Sequence, residues 1–252
     1  MTDDSLLIKR RFVELAKKSY NSGYFAFTNF LGLAEQSSFS EILSEIKGIK
    51  YTAFGGAEGA ERVIIRFGSV EELGYEEPFP IVMLKIAPKS EKFADKLSHR
   101  DFLGSLMNLG VEREMFGDIV IINNVGYLFA KEEIADYVID SLSKVKHTDV
   151  LVTKATELPE GELYRTEKKT VQINSERVDA VVAKVFSLSR DDSQALFKKK
   201  LVFINGKCIE SASHTPKSGD VISVRGYGRM VYDGCESLSK KGKLNVSVKL
   251  YV

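Results

Sequence analysis

Cysteine is scarce in this chain, and no part of it is both long and apolar. Its two cysteines, Cys208 and Cys235, are too few for a disulfide framework or a cysteine-rich metal site. They read as free thiols in a reducing cytoplasm, and neither a metal nor a cofactor is expected. No apolar run approaches the roughly 18 residues needed to span a bilayer, so no membrane partner is expected. The acidic opening Met1-Thr2-Asp3-Asp4 lacks the basic and apolar regions of a signal peptide, and the expected location is cytoplasmic. What remains is ordinary for a globular protein: 44% hydrophobic and 28% charged residues in a chain of 252. At about 150 residues per domain this is one large domain or two to three small ones.

Net charge is also nearly absent, at +1, but it is unevenly distributed. Residues 174–252 hold 14 Lys+Arg and 8 Asp+Glu, a net of +6, which leaves −5 for the rest. An acidic front and a basic tail point to a polyanion partner at one end.

The first segment opens with Leu7, Ile8, Phe12, Leu15 and Ala16 at helical spacing. Asn21-Ser22-Gly23 breaks that helix. A second helix is expected at 40–46 with Ser40 as N-cap. Two strands, 51–54 and 63–67, flank the glycine-rich turn Gly55-Gly56-Ala57-Glu58-Gly59. Residues 71–80 read as a connector. The middle segment alternates: strand 81–87, helix 98–109, strands 118–122 and 126–130 around Asn123-Asn124, helix 131–145 and strand 150–152. This β-α-β-β-α-β order is ferredoxin-like, shared by RNA-recognition domains and by unrelated enzymes. Tyr127 and Phe129 alternate on the third strand. With no Lys or Arg inside that strand, they read as core rather than as a base-stacking platform. Leu158-Pro159-Glu160-Gly161-Glu162 marks a boundary. The expected fold class is α+β: an N-terminal domain at 1–75, an RNA-recognition-like domain at 76–160 and a last domain at 174–252.

In the last segment Val178, Val181, Val182, Val185 and Phe186 form a helical stripe. Ser189 is a good N-cap for a second helix, with Asp192 placed for a variant capping box. That helix ends in Lys198-Lys199-Lys200, where cations complement the helix dipole. Val202-Phe203-Ile204-Asn205-Gly206-Lys207 is a strand running into an Asn-Gly hairpin turn. Asp191 and Asp192 would repel phosphate and read as capping residues. Arg177 either contacts RNA or pairs internally with Asp179 or Asp220. Arg177-Val178-Asp179, Ser189-Arg190, the lysine run, this hairpin and Gly219-Asp220-Val221-Ile222 resemble the alpha-L RNA-binding domain. That domain occurs in the fourth protein of the small ribosomal subunit, in tyrosyl-tRNA synthetases and in pseudouridine synthases. The resemblance implies RNA contacts from Arg190, Gln194, Lys198, Asn205 and Lys207, with Arg225 and Arg229 alongside. Arg177, Ser189, Lys199, Lys200, Lys241 and Lys243 complete the candidate RNA-binding set.

Catalytic partners of such a module are missing upstream. The chain has no glycine-arginine-leucine-aspartate motif of a pseudouridine synthase, no synthetase signature and no dinucleotide fingerprint between strand and helix. The turn at 55–59 has no following Lys-Ser/Thr and is not a phosphate loop. His99-Arg100-Asp101 looks like a kinase catalytic loop, but Asn108 falls seven residues after the Asp instead of five. With three histidines in the chain and no accompanying nucleophile, His99 to Asp101 reads as a polar helix start, and no catalytic residue is expected. His99, Arg100, Asp101, Asn108 and Arg113 remain a possible second functional surface.

The same segment, Ser98-His99-Arg100-Asp101-Phe102-Leu103-Gly104-Ser105-Leu106-Met107-Asn108-Leu109-Gly110, with Arg113-Glu114, Gly117-Asp118-Ile119 and Ser223-Val224-Arg225-Gly226-Tyr227-Gly228-Arg229, resembles the YlmH family from about residue 47 onward. The resemblance implies a bacterial, non-enzymatic protein that binds rRNA and tRNA. Its expected partner is the large ribosomal subunit obstructed by peptidyl-tRNA, in ribosome-associated quality control, with no small-molecule substrate. Two alternatives stand beside it. One is an RNA-modifying enzyme with a site around His99, Arg100, Asp101, Arg113 and Asp118. The other is a division-linked adaptor that uses the acidic front half.

Overall fold

The computed structural model describes residues 3–155, 164–239 and 242–251. It is an α+β structure in two compact units, Met1–Leu163 and Tyr164–Val252. The boundary expected at 158–162 lies outside the described residues. No described helix is long and apolar enough to cross a membrane.

The first unit begins with α1 (Asp3–Ser22), β1 (Ala26–Phe27), α2 (Leu33–Glu41), β2 (Tyr51–Phe54), β3 (Ile64–Phe67) and the single turn α3 (Val70–Leu73). The three strands form an antiparallel sheet in the order β1-β3-β2. The expected stripe of α1 buries Phe12, Leu15 and Ala16 against Phe39, Ile42 and Phe67, while Leu7 stays exposed. The second helix starts earlier than expected, after Gly32 rather than at Ser40. The reason is a tertiary anchor: the Gln36 amide donates to the Leu31 and Glu61 carbonyls, at 3.1 and 2.7 Å. Ser40 lies inside the helix and donates to the Ser37 carbonyl. The expected connector begins with the turn α3, which Ser69 just ahead of it caps by accepting from the Glu72 N–H.

The rest of the unit is β4 (Ile81–Pro88), α4 (His99–Met107), β5 (Phe116–Ile122), β6 (Val125–Lys131), α5 (Glu132–Ser141), β7 (Lys144–Val145) and β8 (Thr148–Ala155). The sheet order β5-β6-β4-β8-β7 is that of a ferredoxin-like fold with one short extra strand. Asn123 and Asn124 both have left-handed φ, 49° and 65°, as the tight turn between β5 and β6 requires. The helix expected to run to 145 stops at Ser141, because Lys144–Val145 turns back to pair with β8. Both helices pack on one face of the sheet: Phe102, Leu106, Ala135 and Val138 lie against Leu84, Ile86, Leu128 and Val152.

The opposite face is also covered. Met83, Tyr127 and Phe129 pack against Phe30 and Ile64 from the N-terminal segment. Tyr127 is 9% exposed and Phe129 2%, so both are core, as expected. The approach is close: a Cβ on Gly117 would lie 2.7 Å from the Phe30 ring, and one on Gly56, at φ +97°, 2.3 Å from the Phe129 ring.

Polar bonds hold the two sheets of this unit together. Arg62 precedes β3 and donates from Nε to the Phe116 carbonyl (2.9 Å), and from one terminal nitrogen to the carbonyls of Phe30 (3.0 Å) and Arg113 (3.4 Å). Asp118 on β5 answers in the other direction, accepting the backbone N–H groups of Glu61 (2.7 Å) and Arg62 (3.1 Å). Burial lowers the Arg62 pKa, although Glu35 and Asp118 oppose the shift.

The second unit comprises β9 (Thr166–Ile173), α6 (Val178–Val185), α7 (Arg190–Lys198), β10 (Val202–Ile204), β11 (Lys207–Cys208), β12 (Val221–Val224), β13 (Gly228–Leu238) and β14 (Leu244–Tyr251). The antiparallel sheet runs β11-β10-β12-β13-β14-β9. The unit begins ahead of residue 174, because β9 pairs with β14 along its whole length. Strand β13 is a further addition to the expected elements; Gly226 and Tyr227 turn the chain, and Gly228 and Arg229 are its first residues. The stripe Val178, Val181, Val182 and Val185 is buried against Ile222, Met230 and Val246.

Arg62→Ala would remove a donor from the Phe30, Phe116 and Arg113 carbonyls at a packed junction, of which the last two keep a second donor. It is expected to cost about 2–4 kcal/mol, read as a lowered urea midpoint. Arg62→Lys should restore little, since an ammonium lacks the planar fork. An unchanged midpoint in Arg62→Ala would show that the clamp contributes nothing.

Candidate nucleic-acid interface

In the second unit the candidate residues separate according to what each side chain already does. Arg177 donates from Nε and a terminal nitrogen to both carboxylate oxygens of Asp179, at 3.0 and 2.8 Å. Asp179 is 3% exposed and also accepts the Ala180 N–H. Its own carbonyl accepts from Ser193, which is fully buried on α7. Asp179 therefore ties α6 to α7, and Arg177 neutralises it. Ser189 is likewise engaged: its hydroxyl accepts from the Asp192 N–H and donates to the Asp192 carboxylate, the capping-box variant read from the sequence. Asn205 sits at φ 49° in the Asn-Gly turn. It donates to Asp220 and accepts from the Val221 N–H, so its amide fixes the turn.

Arg190 is different. It is the first residue of α7, exposed, and borders a groove of about 370 Å³ between β9 and α6. Lys184 and Lys243 line the same groove, with polar groups from Gln172, Asn174 and Ser175. The one acid among the lining residues is Asp179, already held by Arg177. Arg190, Lys184 and Lys243 make no ion pair among the described residues. The groove thus presents three cations beside amide and hydroxyl groups, the chemistry that binds phosphate and sugar. Lys184, which faces solvent on the stripe helix, was not among the sequence candidates. Its signal was present at position i+6 from Val178, off the buried stripe.

The remaining candidates lie at the other end of α7, whose nine residues span about 13 Å. Lys198 and Lys199 are exposed. Lys200 takes a left-handed φ of 56°, and the Leu201 N–H bonds back to the Leu196 carbonyl, a helix-ending motif. Lys200 also pairs with Glu210 at 2.9 Å. Gln194 is half-buried and Lys207 exposed. The Arg225 guanidinium lies 5.1 Å from the Phe203 ring centroid, and that of Arg229 lies 3.9 Å from the Tyr251 centroid. Lys241 lies outside the described residues.

The possible second surface in the first unit is mostly structural. Ser98 and Asp101 form a capping box at the start of α4, with the Ser98 N–H and hydroxyl donating to Asp101 at 2.8 and 2.7 Å. These bonds hold the Asp101 carboxyl below its usual range. Asn108 is the C-cap of the same helix. Arg113 donates to the carbonyls of Phe116 (2.6 Å) and Gly117 (3.2 Å). Burial, and then the neighbouring Arg62, push its pKa down to about 10. Arg100 is exposed. The imidazole of His99 has an accessible edge, yet its charged form is disfavoured, first by desolvation and then by Arg113, against an opposing pull from Asp118. The structure thus brings His99 near Arg113 and Asp118, and leaves Asp101 and Asn108 to the helix ends.

Fold and groove together define an α+β protein with a cationic, phosphate-suited surface. A family model described as a putative RNA-binding domain in YlmH matches residues 75–158. The ribosome-associated protein quality control protein P2 of Bacillus subtilis (strain 168) is 30% identical over 232 residues, spanning 87% of this chain and 85% of its own. The solved cell division protein ylmH from Streptococcus pneumoniae is 21% identical with a TM-score of 0.48, covering 62% of this chain and 93% of that one. The chain belongs to the YlmH family.

Two measurements separate structural from interfacial cations. Arg177→Ala should lower stability by about 1–3 kcal/mol, because a buried carboxylate loses its partner, whereas Arg190→Ala should leave the urea midpoint unchanged and weaken RNA binding. Equal stability of the two variants would overturn the distinction. His99 has a second signature. Its folded-state pKa is lowered from 6.5, so the unfolded chain binds the proton more readily. The contribution to stability is therefore full above about pH 6.5 and is lost as pH falls below it. Between about pH 7.5 and 5 the unfolding midpoint of wild type should fall relative to that of His99→Gln, and a constant difference would show that His99 contributes no pH dependence.

Proposed function

We propose that this chain is a non-enzymatic RNA-binding protein that associates with the large ribosomal subunit and tRNA, and that it acts in ribosome-associated quality control of stalled nascent chains. In this reading the chain has three modules, at 1–75 and 76–160 and a last one that begins with β9 at Thr166 rather than at 174. The last is an alpha-L module and the principal RNA anchor, and the protein works in the cytoplasm without a cofactor. The observation that carries the reading is the convergence of Arg190, Lys184 and Lys243 on one groove whose only acid is already neutralised. Membership of the YlmH family and the quality-control role named for the Bacillus relative support it.

The groove suits the backbone of a folded RNA rather than a particular base. Arg190 and the lysines neutralise phosphates and release counterions, while Asn174, Ser175 and Gln172 supply donors and acceptors for sugar oxygens. Lys198 and Lys199 extend the cationic surface along α7. Lys200 adds little, because its ammonium faces Glu210.

Sedimentation with large subunits carrying peptidyl-tRNA tests the reading. The chain is expected to travel with them at moderate salt, and Arg190→Ala with Lys243→Ala should release it at lower salt. The log–log salt slope should fall by about 0.7–0.9 for each phosphate no longer neutralised, with Lys198→Ala contributing and Lys200→Ala not. Absence from the subunit fraction at moderate salt would refute the proposal.

A further inference from the structure

The aromatic strand of the central sheet is buried, so an RNA contact on this part of the chain needs another surface. One end of the sheet provides it. Phe93 is 80% exposed, more than any other described large apolar side chain. It closes the single 3-10 turn Glu91–Phe93 in the connection from β4 to α4. That connection is braced on both sides. The Asp95 N–H donates to the Thr148 hydroxyl (2.9 Å), the Asn124 amide donates to the Asp95 carbonyl (2.9 Å), and the Leu97 N–H donates to the Asn124 side chain (2.7 Å). Phe93 is therefore held out to solvent from an anchored loop.

A cation lies beside the ring. The Lys92 ammonium lies 5.5 Å from its centroid. Lys89 and Lys96 flank it on the same connection, and the Lys89 N–H bonds to the Asp149 carbonyl on β8, which places the β7–β8 turn with Lys144 and Lys146 at the same end. Of the acids there, Asp149 faces Lys144 at 3.6 Å, and Asp95 lies 3.3 Å from His147, which neutralises it only when protonated. Glu91 and Asp101, the latter in the field of Lys146, complete the set. Lys89, Lys92, Lys96 and Lys146 make no ion pair among the described residues.

We propose that this end of the central sheet is a second RNA contact, where an unpaired base stacks on Phe93 and the flanking phosphates lie on Lys89, Lys92, Lys96 and Lys146. The inference rests on the RNA-binding reading above and adds a site and a mode to it. A lone exposed ring among lysines is the arrangement that binds single strands, through stacking and a cationic track. A protein partner fits less well: one aromatic side chain buries about 150–250 Å², whereas a stable protein interface needs roughly 1,000 Å².

The chain contains no tryptophan, so Phe93→Trp in the full chain places a single reporter at the site. Short unpaired oligouridine is expected to quench its fluorescence saturably, and duplex RNA to quench it much less. Phe93→Ala should raise the Kd for oligouridine about tenfold, and Lys92→Ala with Lys96→Ala should reduce the salt slope by about 0.7 for each phosphate released. Absence of quenching with an unchanged Kd in Phe93→Ala, while Arg190→Ala still weakens binding, would overturn this inference and leave the groove standing. Failure of the full chain to bind either RNA would overturn both.

Discussion

Burial of the aromatic face of the central sheet beneath the chain's own N-terminal segment is the constraint on which the first unit depends. Phe30 and Ile64 occupy the surface that Met83, Tyr127 and Phe129 would otherwise present, and Gly56 and Gly117 let backbone and rings approach closely. Opening this face would expose at least four large side chains at about 1.5–3 kcal/mol each, besides breaking the Arg62 and Asp118 bonds. One stacked base contributes about 1–3 kcal/mol. Two or three bases return about 2–9 kcal/mol against about 6–12 kcal/mol for the side chains and the polar bonds lost beside them, so the balance favours keeping this face as core. The topology of an RNA-recognition domain is present while its usual working face is used as core.

The second unit depends on a comparable internal demand. Asp179 is buried, and an isolated buried carboxylate is costly. Arg177, the Ala180 N–H and the packing of α7 through Ser193 meet that cost. Arg190 then emerges at the start of α7 with no acid to satisfy, beside Lys184 and Lys243. The same helical junction thus assigns one arginine to the fold and leaves the other available for RNA.

Much of this was legible in the residues. The valine stripe of α6, the Ser189 cap, the Asn-Gly hairpin and the β-α-β-β-α-β order depend on local periodicity and turn chemistry, and the structure has them. The misses share a cause, which is pairing across long separations. Strand β9 reads as polar in sequence because Lys168 and Thr170 are exposed and Lys169 reaches the Val185 carbonyl, and only pairing with β14 makes it a strand. Helix α2 begins at Gly32 because Gln36 reaches Leu31 and Glu61, a contact between segments 25 residues apart. Tyr127 and Phe129 were recognisable as core from the lack of cations on their strand, but what covers them was not. Of the candidate RNA contacts, Arg177, Ser189 and Asn205 proved engaged within the fold, since a residue type suited to phosphate or amide contacts is equally suited to capping and buried pairing. Phe93 gives no sequence signal, because a lone phenylalanine among lysines has no periodicity.

Net charge is consequently a poor guide to the strength of the RNA interface. Among the 14 cations of residues 174–252, Arg177, Lys200 and Lys249 face Asp179, Glu210 and Asp233. Lys198 and Lys199 are successive exposed residues at the end of α7, about 100° apart around a helix axis, which does not favour both serving one phosphate backbone. What distinguishes the groove is the absence of a competing acid, because a cation already near a carboxylate releases fewer counterions on meeting a phosphate. In the proposed reading the excess of +6 supplies a long-range attraction toward RNA, and the groove of Arg190, Lys184 and Lys243, whose one lining acid is already paired, is the favoured place to hold it.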